Sequence, residues 1–349
     1  MTSAAGAQAA GGERRGGSDG AGMVILGACA LWSLISAAVH GGRPEGVLLA
    51  VLAVTAGYAA GRISGALLPV AAPCAAALAG LGLAVGTPYL TPGPQSQVPL
   101  GHAGSTAALL VLCTGAACCA AWATAVPLAR HALRALAAGI AVTAALLGSP
   151  SGAALCAAVL LCSLAAGGMR SRGAGVAGLA VAAALVTGTI WAVAENALPD
   201  GLALSLEGRL TGQRVELWQD ALRLTGEDPL LGVGPGRFGE LSRAAAAAPF
   251  PDGKPHSAPL QLLAEQGVVG LVLAAAAFAW VLLALWRTAR PTRVALTAGA
   301  ALTALVAVAS VGNALSFTAV SVGTGLLAGL ATARPLKDPS YGEPARADG

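Results

Sequence analysis

Two side chains that can do chemistry stand out between residues 195 and 267, the longest interval between apolar runs. His256 begins the stretch HSAPLQLLAEQGVVG, and an imidazole, whose ordinary pKa is about 6.5, can take a proton from a hydroxyl group. Glu265 follows at the edge of the next apolar run, where its carboxylate can orient the imidazole or point to water. A lone loop histidine is more often solvated than catalytic, so its surroundings decide its role.

Arg214 lies in the first turn of a helix predicted in TGQRVELWQDALRLTGEDP. Thr211 can cap this helix, Gly226 can adopt the left-handed conformation after its last turn, and Pro229 prevents its continuation. A cation among the unpaired N–H groups of a first turn is unfavourable unless an anion lies opposite. A diphosphate would satisfy both arginine and helix, whereas an ion pair with a nearby acid such as Glu207 is the simpler alternative.

The helical periodicity predicts which side chains of this segment face the protein. The apolar face is expected to hold Val215, Trp218 and Leu222, and the polar face Glu216, Gln219 and Asp220. Further along, Ser257 is the predicted cap of a short helix over 258–266 that ends at Gly267. His256 therefore lies just before a helix start, at about the depth of lipid headgroups.

The elements that must position these residues are membrane helices. The 349 residues are 56% hydrophobic and only 10% charged, with a mean hydropathy of +0.73, and the apolar runs are continuous rather than alternating. We predict an all-α polytopic membrane protein with about ten transmembrane helices. The runs are 23–39, 46–61, 66–85, 103–126, 132–148, 151–168, 174–194, 268–286, 294–311 and 315–333.

The distribution of basic residues predicts the orientation. If the N-terminus is cytoplasmic, the predicted cytoplasmic segments hold thirteen Arg or Lys and the short outer loops hold one, Arg43. Residues 1–21 then form a disordered cytoplasmic tail, and residues 334–349 form a cytoplasmic tail. The bundles 22–194 and 268–333 lie in the plasma membrane, and 195–267, which holds ten of the sixteen acidic residues, is extracytoplasmic.

Several cofactor classes find no support in the sequence. All seven cysteines lie in apolar runs, where a thiol behaves as a small hydrophobe, so we predict neither a disulfide framework nor a zinc site. The stretch GVGPGRF at 232–238 lacks the Lys-Ser/Thr ending of a phosphate loop. We expect no metal, no nucleotide cofactor and no nucleic-acid partner, so a reaction on the outer face must draw its energy from the substrate or an ion gradient.

Three motifs, in their order, spacing and position, resemble the signature of the O-antigen ligase and polymerase family. They are R-x3-W-x2-A-L at 214–222, DPLLGVGPGRF at 228–238 and HSAPLQLLAEQGVVG at 256–270. Upstream, GHAGSTAALLVL at 101–112 is similar to the family's glycine-rich entry to a helix. The resemblance covers roughly residues 100 to 290.

The resemblance implies a membrane glycosyltransferase of the GT-C type that works on the outer leaflet without nucleotide or metal. The donor would be a glycan on a polyprenyl diphosphate. The acceptor would be a hydroxyl of another glycan, of a lipid-linked sugar or of a protein. Membrane lipid would be the further partner of the chain. The family's loop arginine corresponds to Arg214, which would hold the diphosphate, and its loop histidine to His256, which would orient or deprotonate the acceptor. Trp218, Gln261 and Glu265 would contact substrate.

The sequence departs from the family pattern at one place. Many members carry Ser-Arg-Gly-Ala on the outer side of a helix two spans before the long loop, but the matching place here reads GSPSGA, 148–153, with no arginine. A second SRGA at 171–174 falls on the predicted cytoplasmic side. Arg209 or Arg237 is therefore our candidate for a second arginine against the diphosphate.

Two other functions compete with glycan transfer. A transporter of a lipid-linked glycan or small solute usually places ionisable groups at mid-membrane, but the middle of every run lacks Asp, Glu, Lys and Arg. Only Asn313, close to a helix end, leaves room for this alternative. The missing arginine suggests an inactive family member that acts as a scaffold. A single transfer, as by a ligase, and repeated transfer, as by a polymerase, are both compatible with these residues.

Overall fold

The protein is an all-α bundle, which confirms the predicted fold class. The computed structural model describes the backbone of residues 3–90, 99–195, 197, 212–247 and 253–334, and the side chains of 19–86 and of the described residues from 104 onward. Within these ranges every regular element is a helix.

Thirteen α-helices occur in the described ranges. They are α1 (Ser3–His40), α2 (Glu45–Leu67), α3 (Ala71–Leu90), α4 (Pro99–Ala123), α5 (Pro127–Leu146), α6 (Pro150–Ala165), α7 (Arg172–Ala194), α8 (Gly212–Glu227), α9 (Phe238–Leu241), α10 (Arg243–Ala246), α11 (Ala258–Arg287), α12 (Thr292–Ser310) and α13 (Thr318–Thr332). A 3₁₀ turn, Ala314–Ser316, precedes α13.

Ten of these helices, α1 to α7 and α11 to α13, correspond to the ten predicted apolar runs. Six of them contain a segment long and apolar enough to cross a membrane: Asp19–His40, Glu45–Leu67, Gly104–Ala123, Arg172–Ala194, Ala258–Arg287 and Thr292–Ser310. The apolar helices Ala71–Gly86, Pro150–Ala165 and Thr318–Thr332 are shorter. The chain is thus a polytopic membrane protein.

The antiparallel order of the helices gives the bundle two distinct ends. We call the end at which α1 and α7 finish and residues 212–257 lie the loop end. The opposite end, where α4 finishes and α5 and α12 begin, is called the arginine end because it holds Arg130, Arg134, Arg290 and Arg293. The basic side chains at the arginine end agree with the predicted orientation, which itself stays a prediction.

The helices α4 and α12 form the centre of the bundle. Leu110 and Val111 of α4 and Ala298 and Leu302 of α12 belong to one buried cluster, which α5, α6, α11 and α13 surround. Since lipid tails are as apolar as these side chains, close packing rather than hydrophobic transfer holds such helices together. The packing of α4 against α12 therefore supports the position of the loop end.

Small residues bring α2 and α13 into backbone contact. Gly57, Gly61 and Gly65 recur every fourth residue on α2 and face α13, whose Gly325 and Gly329 face α2 in return. A Cβ added at any of the five would meet the other helix closer than ordinary van der Waals distance. Small residues at this spacing permit such an approach in membranes, and larger ones would separate the two helices.

A sharp kink divides α11 at Gly267, which has φ +66° and ψ −170°. The short arm Ala258–Gln266 leaves the membrane helix 268–287 at this point, so the predicted break at Gly267 is confirmed. A Cβ at Gly267 would collide with the Leu230 carbonyl, because the segment 229–234 crosses directly over the kink. Both the left-handed φ and this contact require glycine.

The kink frees backbone groups that would otherwise be bonded within the helix, and four hydrogen bonds from other segments reach groups at this point. The bonds are Val233 N–H to the Ala264 carbonyl (2.8 Å), Gly234 N–H to the Glu265 carbonyl (3.0 Å), Val268 N–H to the Pro229 carbonyl (2.8 Å) and Trp32 Nε1–H to the Gln266 carbonyl (3.0 Å). The loop 228–238 and α1 thus replace the lost helical hydrogen bonds.

Three local expectations differ from the structure. Residues 3–21, predicted to be disordered, form the first part of α1, because this alanine-rich stretch continues the following apolar helix without a break. Gly226 stays inside α8 rather than in a left-handed position after it, and the helix ends at Glu227, just before Pro229. Ser257 precedes the arm but makes no capping hydrogen bond.

We predict that Gly267→Ala destabilises the protein by at least about 1 kcal/mol, because alanine meets both an unfavourable φ and the Leu230 carbonyl. Thermal unfolding of the purified protein in detergent measures this change. Gly226→Ala is the matched control, since Gly226 lies in a regular helix with no neighbouring atom within 4 Å. Equal unfolding temperatures for the two variants would contradict the role of the kink.

Candidate functional site

The loop end carries its own buried core, which joins α8 to the short arm of α11. Trp218 and Phe238 are fully buried, and they share one cluster with Leu260 and Ala264 of the arm and with Ile190 near the end of α7. This cluster constrains the positions of the two candidate residues. Arg214 lies four residues before Trp218, and His256 lies four residues before Leu260.

The buried face of α8 is rotated relative to the predicted one. Leu217, Trp218, Ala221 and Leu224 are buried, so Trp218 is correctly assigned to the apolar face. Val215 and Leu222 are only partly buried, because the arm and residues 238–245 cover α8 from the side of Leu217 and Leu224. Glu216 is exposed as predicted, whereas Asp220 turns toward residues 242–244.

Arg214 is partly buried in the first turn of α8, and this burial lowers the pKa of its guanidinium. None of the described carboxylates pairs with it. The other basic residue of the helix, Arg223, contacts Asp220 at 3.0 Å and Glu227 at 2.9 Å. Glu207, the simpler partner considered for Arg214, lies outside the described residues, as does the predicted cap Thr211. Arg214 is thus a partly desolvated cation at a helix start.

His256 has an unusual backbone conformation. Its φ of +52° makes it the one non-glycine residue with positive φ in the described ranges. This conformation costs an ordinary side chain of order 1 kcal/mol or more, and such strain concentrates at ligand clamps and active sites. The ring is partly buried between buried Pro255 and buried Ser257.

Two buried polar groups near these residues have no hydrogen-bond partner in the described structure. They are Trp218 Nε1–H, which lies one turn after Arg214, and Ser257 Oγ, which lies directly after His256. A buried donor or acceptor without a partner costs about 1–3 kcal/mol, so such groups are usually satisfied by a ligand or water. Both groups are enclosed by the protein, so each has an unmet hydrogen-bonding requirement at the loop end.

Glu265 is buried and fastens the glycine-rich loop to the arm of α11. Its carboxylate accepts hydrogen bonds from the backbone N–H groups of Gly236 and Phe238, and from Gln261 Nε2 at 3.4 Å. The positive charge of Lys254 lies nearby. The structure thus brings together two predicted substrate-binding residues, Gln261 and Glu265, and gives them a structural task; their contact with substrate stays a prediction.

Arg237 lies on the side of the glycine-rich loop that faces α1. Its Nη1 donates to the His40 carbonyl at 2.6 Å, and its Nε is 3.8 Å from a carboxylate oxygen of Glu240. One of its five guanidinium N–H donors is therefore bonded within the protein, and an acid lies beside the group. Arg209, the alternative second arginine, lies outside the described residues.

Sequence reasoning missed the contribution of α1 to this end of the protein. His40 Nε2 is 3.5 Å from Asp228 Oδ2, and the Ser36 hydroxyl donates to the Leu231 carbonyl at 2.8 Å. Arg43 N–H donates to the Pro235 carbonyl at 2.7 Å. No local pattern predicts contacts between residues this far apart in sequence; the glycines of GVGPGRF are the one signal that could have suggested the close approach of another backbone.

Comparison with known families gives one result. The family model described as O-antigen ligase matches residues 135–275, a range that includes α8, the glycine-rich loop and the arm of α11. No curated protein and no solved structure gives a significant match to the chain.

Asp220 generates a pH prediction for the loop end. Partial burial acts to raise the pKa of this carboxyl, but the Ala244 N–H, the Ser242 hydroxyl and Arg223 outweigh it and hold the pKa below its usual range. A depressed pKa stabilises the fold above the unfolded pKa of about 3.9, and this contribution is lost as the pH falls through the folded pKa. Asp220→Asn should therefore lower the unfolding temperature at neutral pH, with a difference that shrinks below about pH 4.

Thermal unfolding between neutral pH and pH 3 measures this difference. The control Glu216→Gln alters an exposed acid of the same helix and should give little change at any pH. A difference between wild type and Asp220→Asn that is the same at every pH would contradict the assignment.

Proposed function

We propose that the chain acts in glycan ligation in a membrane as a member of the O-antigen ligase and polymerase family, because residues 135–275 match the family model described as O-antigen ligase. From this premise we propose that it transfers a glycan from a polyprenyl-diphosphate donor to an acceptor hydroxyl on the outer face of the plasma membrane. The acceptor hydroxyl belongs to a glycan or a lipid, and the reaction needs neither metal nor nucleotide.

The observation that carries this proposal is Arg214, a partly buried cation at the start of α8 with no described carboxylate beside it. Unpaired N–H groups of the first turn and the positive end of the helix dipole favour an anion at the same place. The guanidinium fork matches phosphate oxygens in geometry as well as in charge. A diphosphate at the membrane surface fits this site better than a neutral solute does.

The proposed reaction forms one bond and breaks one bond at the anomeric carbon of the donor glycan. The acceptor oxygen forms a bond to the anomeric carbon of the donor glycan while the bond from that carbon to the diphosphate oxygen breaks. The leaving polyprenyl diphosphate takes the electron pair, and its negative charge is stabilised by Arg214. His256 orients the acceptor hydroxyl and takes its proton as the new bond forms. The diphosphate is already a good leaving group, so positioning and charge stabilisation supply most of the rate acceleration.

The local structure supports the role of His256. Its strained backbone is held by the arm of α11, whose Leu260 and Ala264 pack in the cluster of Trp218. Since α8 and the arm share this core, the helix that carries Arg214 packs against the helix that follows His256.

The decisive variants are Arg214→Gln and His256→Asn. Asparagine tolerates the left-handed conformation, so His256→Asn removes the base without adding backbone strain. Each change should lower glycan transfer at least about 100-fold, the usual cost of losing a charge-stabilising group or a general base. Transfer is measured in proteoliposomes with a glycan on polyprenyl diphosphate as donor.

Arg243→Gln is the matched control, because Arg243 is an exposed arginine of the same segment in α10. It should retain near wild-type transfer. If Arg214→Gln and His256→Asn also retain it, the assigned mechanism is wrong. Vesicles that accumulate the glycan lipid or a solute without forming a transfer product would instead indicate a transporter.

A further inference from the structure

The arginine end contains a cluster that glycan transfer does not use. Most described basic side chains at this end have a structural task. Arg62 pairs with Asp19 at 3.2 Å, and Arg172 donates to the carbonyls of a turn that begins after α11. Buried Arg290 donates to the carbonyls of Gly65 and Ala333, which joins the ends of α2 and α13. Arg134 and Arg293 are engaged differently.

Arg134 and Arg293 both contact the ring of Trp122. The guanidinium carbon of Arg134 lies 4.8 Å from the ring centroid, and that of Arg293 lies 5.0 Å from it. We call these three residues the Trp122 cluster. Cation–π attraction draws each arginine to the indole, so two positive charges from different helices, α5 and α12, are held close together.

The indole of the Trp122 cluster is fixed by a polar chain between helices. Trp122 Nε1 donates to Ser163 Oγ of α6 at 2.9 Å, and Thr297 Oγ1 of α12 lies 3.0 Å from the same oxygen. Ser163 and Thr297 are buried. The ring therefore has a set orientation, and the two guanidinium groups have a set place at the bundle surface.

Within the described residues, the positive charge of the Trp122 cluster has no carboxylate partner. The ion pairs of the described residues involve His40, Arg43, Arg62, Arg223 and Arg237, and neither Arg134 nor Arg293 takes part in one. Arg130, one turn before Arg134, adds a third cation, whose Nη2 donates to the Thr124 carbonyl at 3.2 Å and whose buried Nε has no partner. Like charges repel at this range, so an anion would stabilise the arrangement.

The surroundings of the cluster point to a lipid rather than a free anion. Val126 and Leu128, at the start of α5 beside the cluster, are 57% and 80% exposed, and Leu164 near the end of α6 is 44% exposed. These apolar side chains belong against acyl chains. Tryptophan and arginine at helix ends occupy the headgroup level of a bilayer, where phosphate groups lie.

We propose that the Trp122 cluster, with the nearby Arg130, binds the headgroup phosphate of an anionic phospholipid at the arginine end of the bundle. The two guanidinium groups contact the phosphate oxygens, and the exposed apolar side chains beside them contact the acyl chains. The bound lipid neutralises the uncompensated charge and joins α5 to α12. This site is separate from the loop end and does not depend on the proposed glycan transfer.

The test measures lipid-dependent stability of the purified full chain in a neutral detergent. Thermal unfolding is followed with added phosphatidylglycerol, phosphatidylcholine or inorganic phosphate. Phosphatidylglycerol should raise the unfolding temperature of the wild type most. Arg134→Gln/Arg293→Gln should bind phosphatidylglycerol roughly thirty-fold more weakly, because each arginine near an anionic lipid contributes about fivefold to affinity.

The matched control is Arg170→Gln/Arg287→Gln, which removes two exposed arginines from the same end without touching Trp122. It should keep the wild-type response to phosphatidylglycerol. Because Arg293 is exposed, the single variant Arg293→Gln serves if the double variant does not fold. An equal loss in the control, an equal response to phosphatidylcholine, or an equal response to inorganic phosphate would each overturn the proposal.

Discussion

The loop end depends on one constraint, the need to satisfy the backbone groups that the kink at Gly267 exposes beside the membrane. Lipid offers no hydrogen bonds, so the freed carbonyls of Ala264 and Glu265 need protein donors. Val233 and Gly234 of the glycine-rich loop supply them, at 2.8 and 3.0 Å. This requirement explains why the loop crosses the kink so closely and why glycine occupies both sides of the contact.

The same contacts give the candidate site its rigidity. The kink turns the arm of α11 toward α8, and the buried cluster around Trp218 then joins the two helices. The Glu265 carboxylate binds the loop through the N–H groups of Gly236 and Phe238. Contacts of His40 and Arg237 connect the loop to α1. Arg214 thus lies in the first turn of α8 and His256 lies two residues before the arm, so both adjoin helices that share a core.

Some of this structure could be predicted from sequence because local chemistry determines it. Long apolar runs predicted the membrane helices. A glycine marked the break at Gly267, and Pro229 marked the end of α8. The predicted capping role of Ser257 was wrong. The predicted buried face of α8 was wrong in part, because tertiary contacts with residues 238–264 decide which face is buried. The contributions of His40 and Trp32 come from a helix distant in sequence, and no period or motif reports such pairs.

The central claim is that Arg214 and His256 form one site for a lipid-linked diphosphate. A structure of the protein in lipid nanodiscs with bound polyprenyl diphosphate tests it most directly. The account predicts diphosphate oxygens within hydrogen-bond distance of the Arg214 guanidinium, at the start of α8, with the His256 ring on the same side of the arm. A diphosphate bound elsewhere, with Arg214 paired to a carboxylate of the protein, would contradict it.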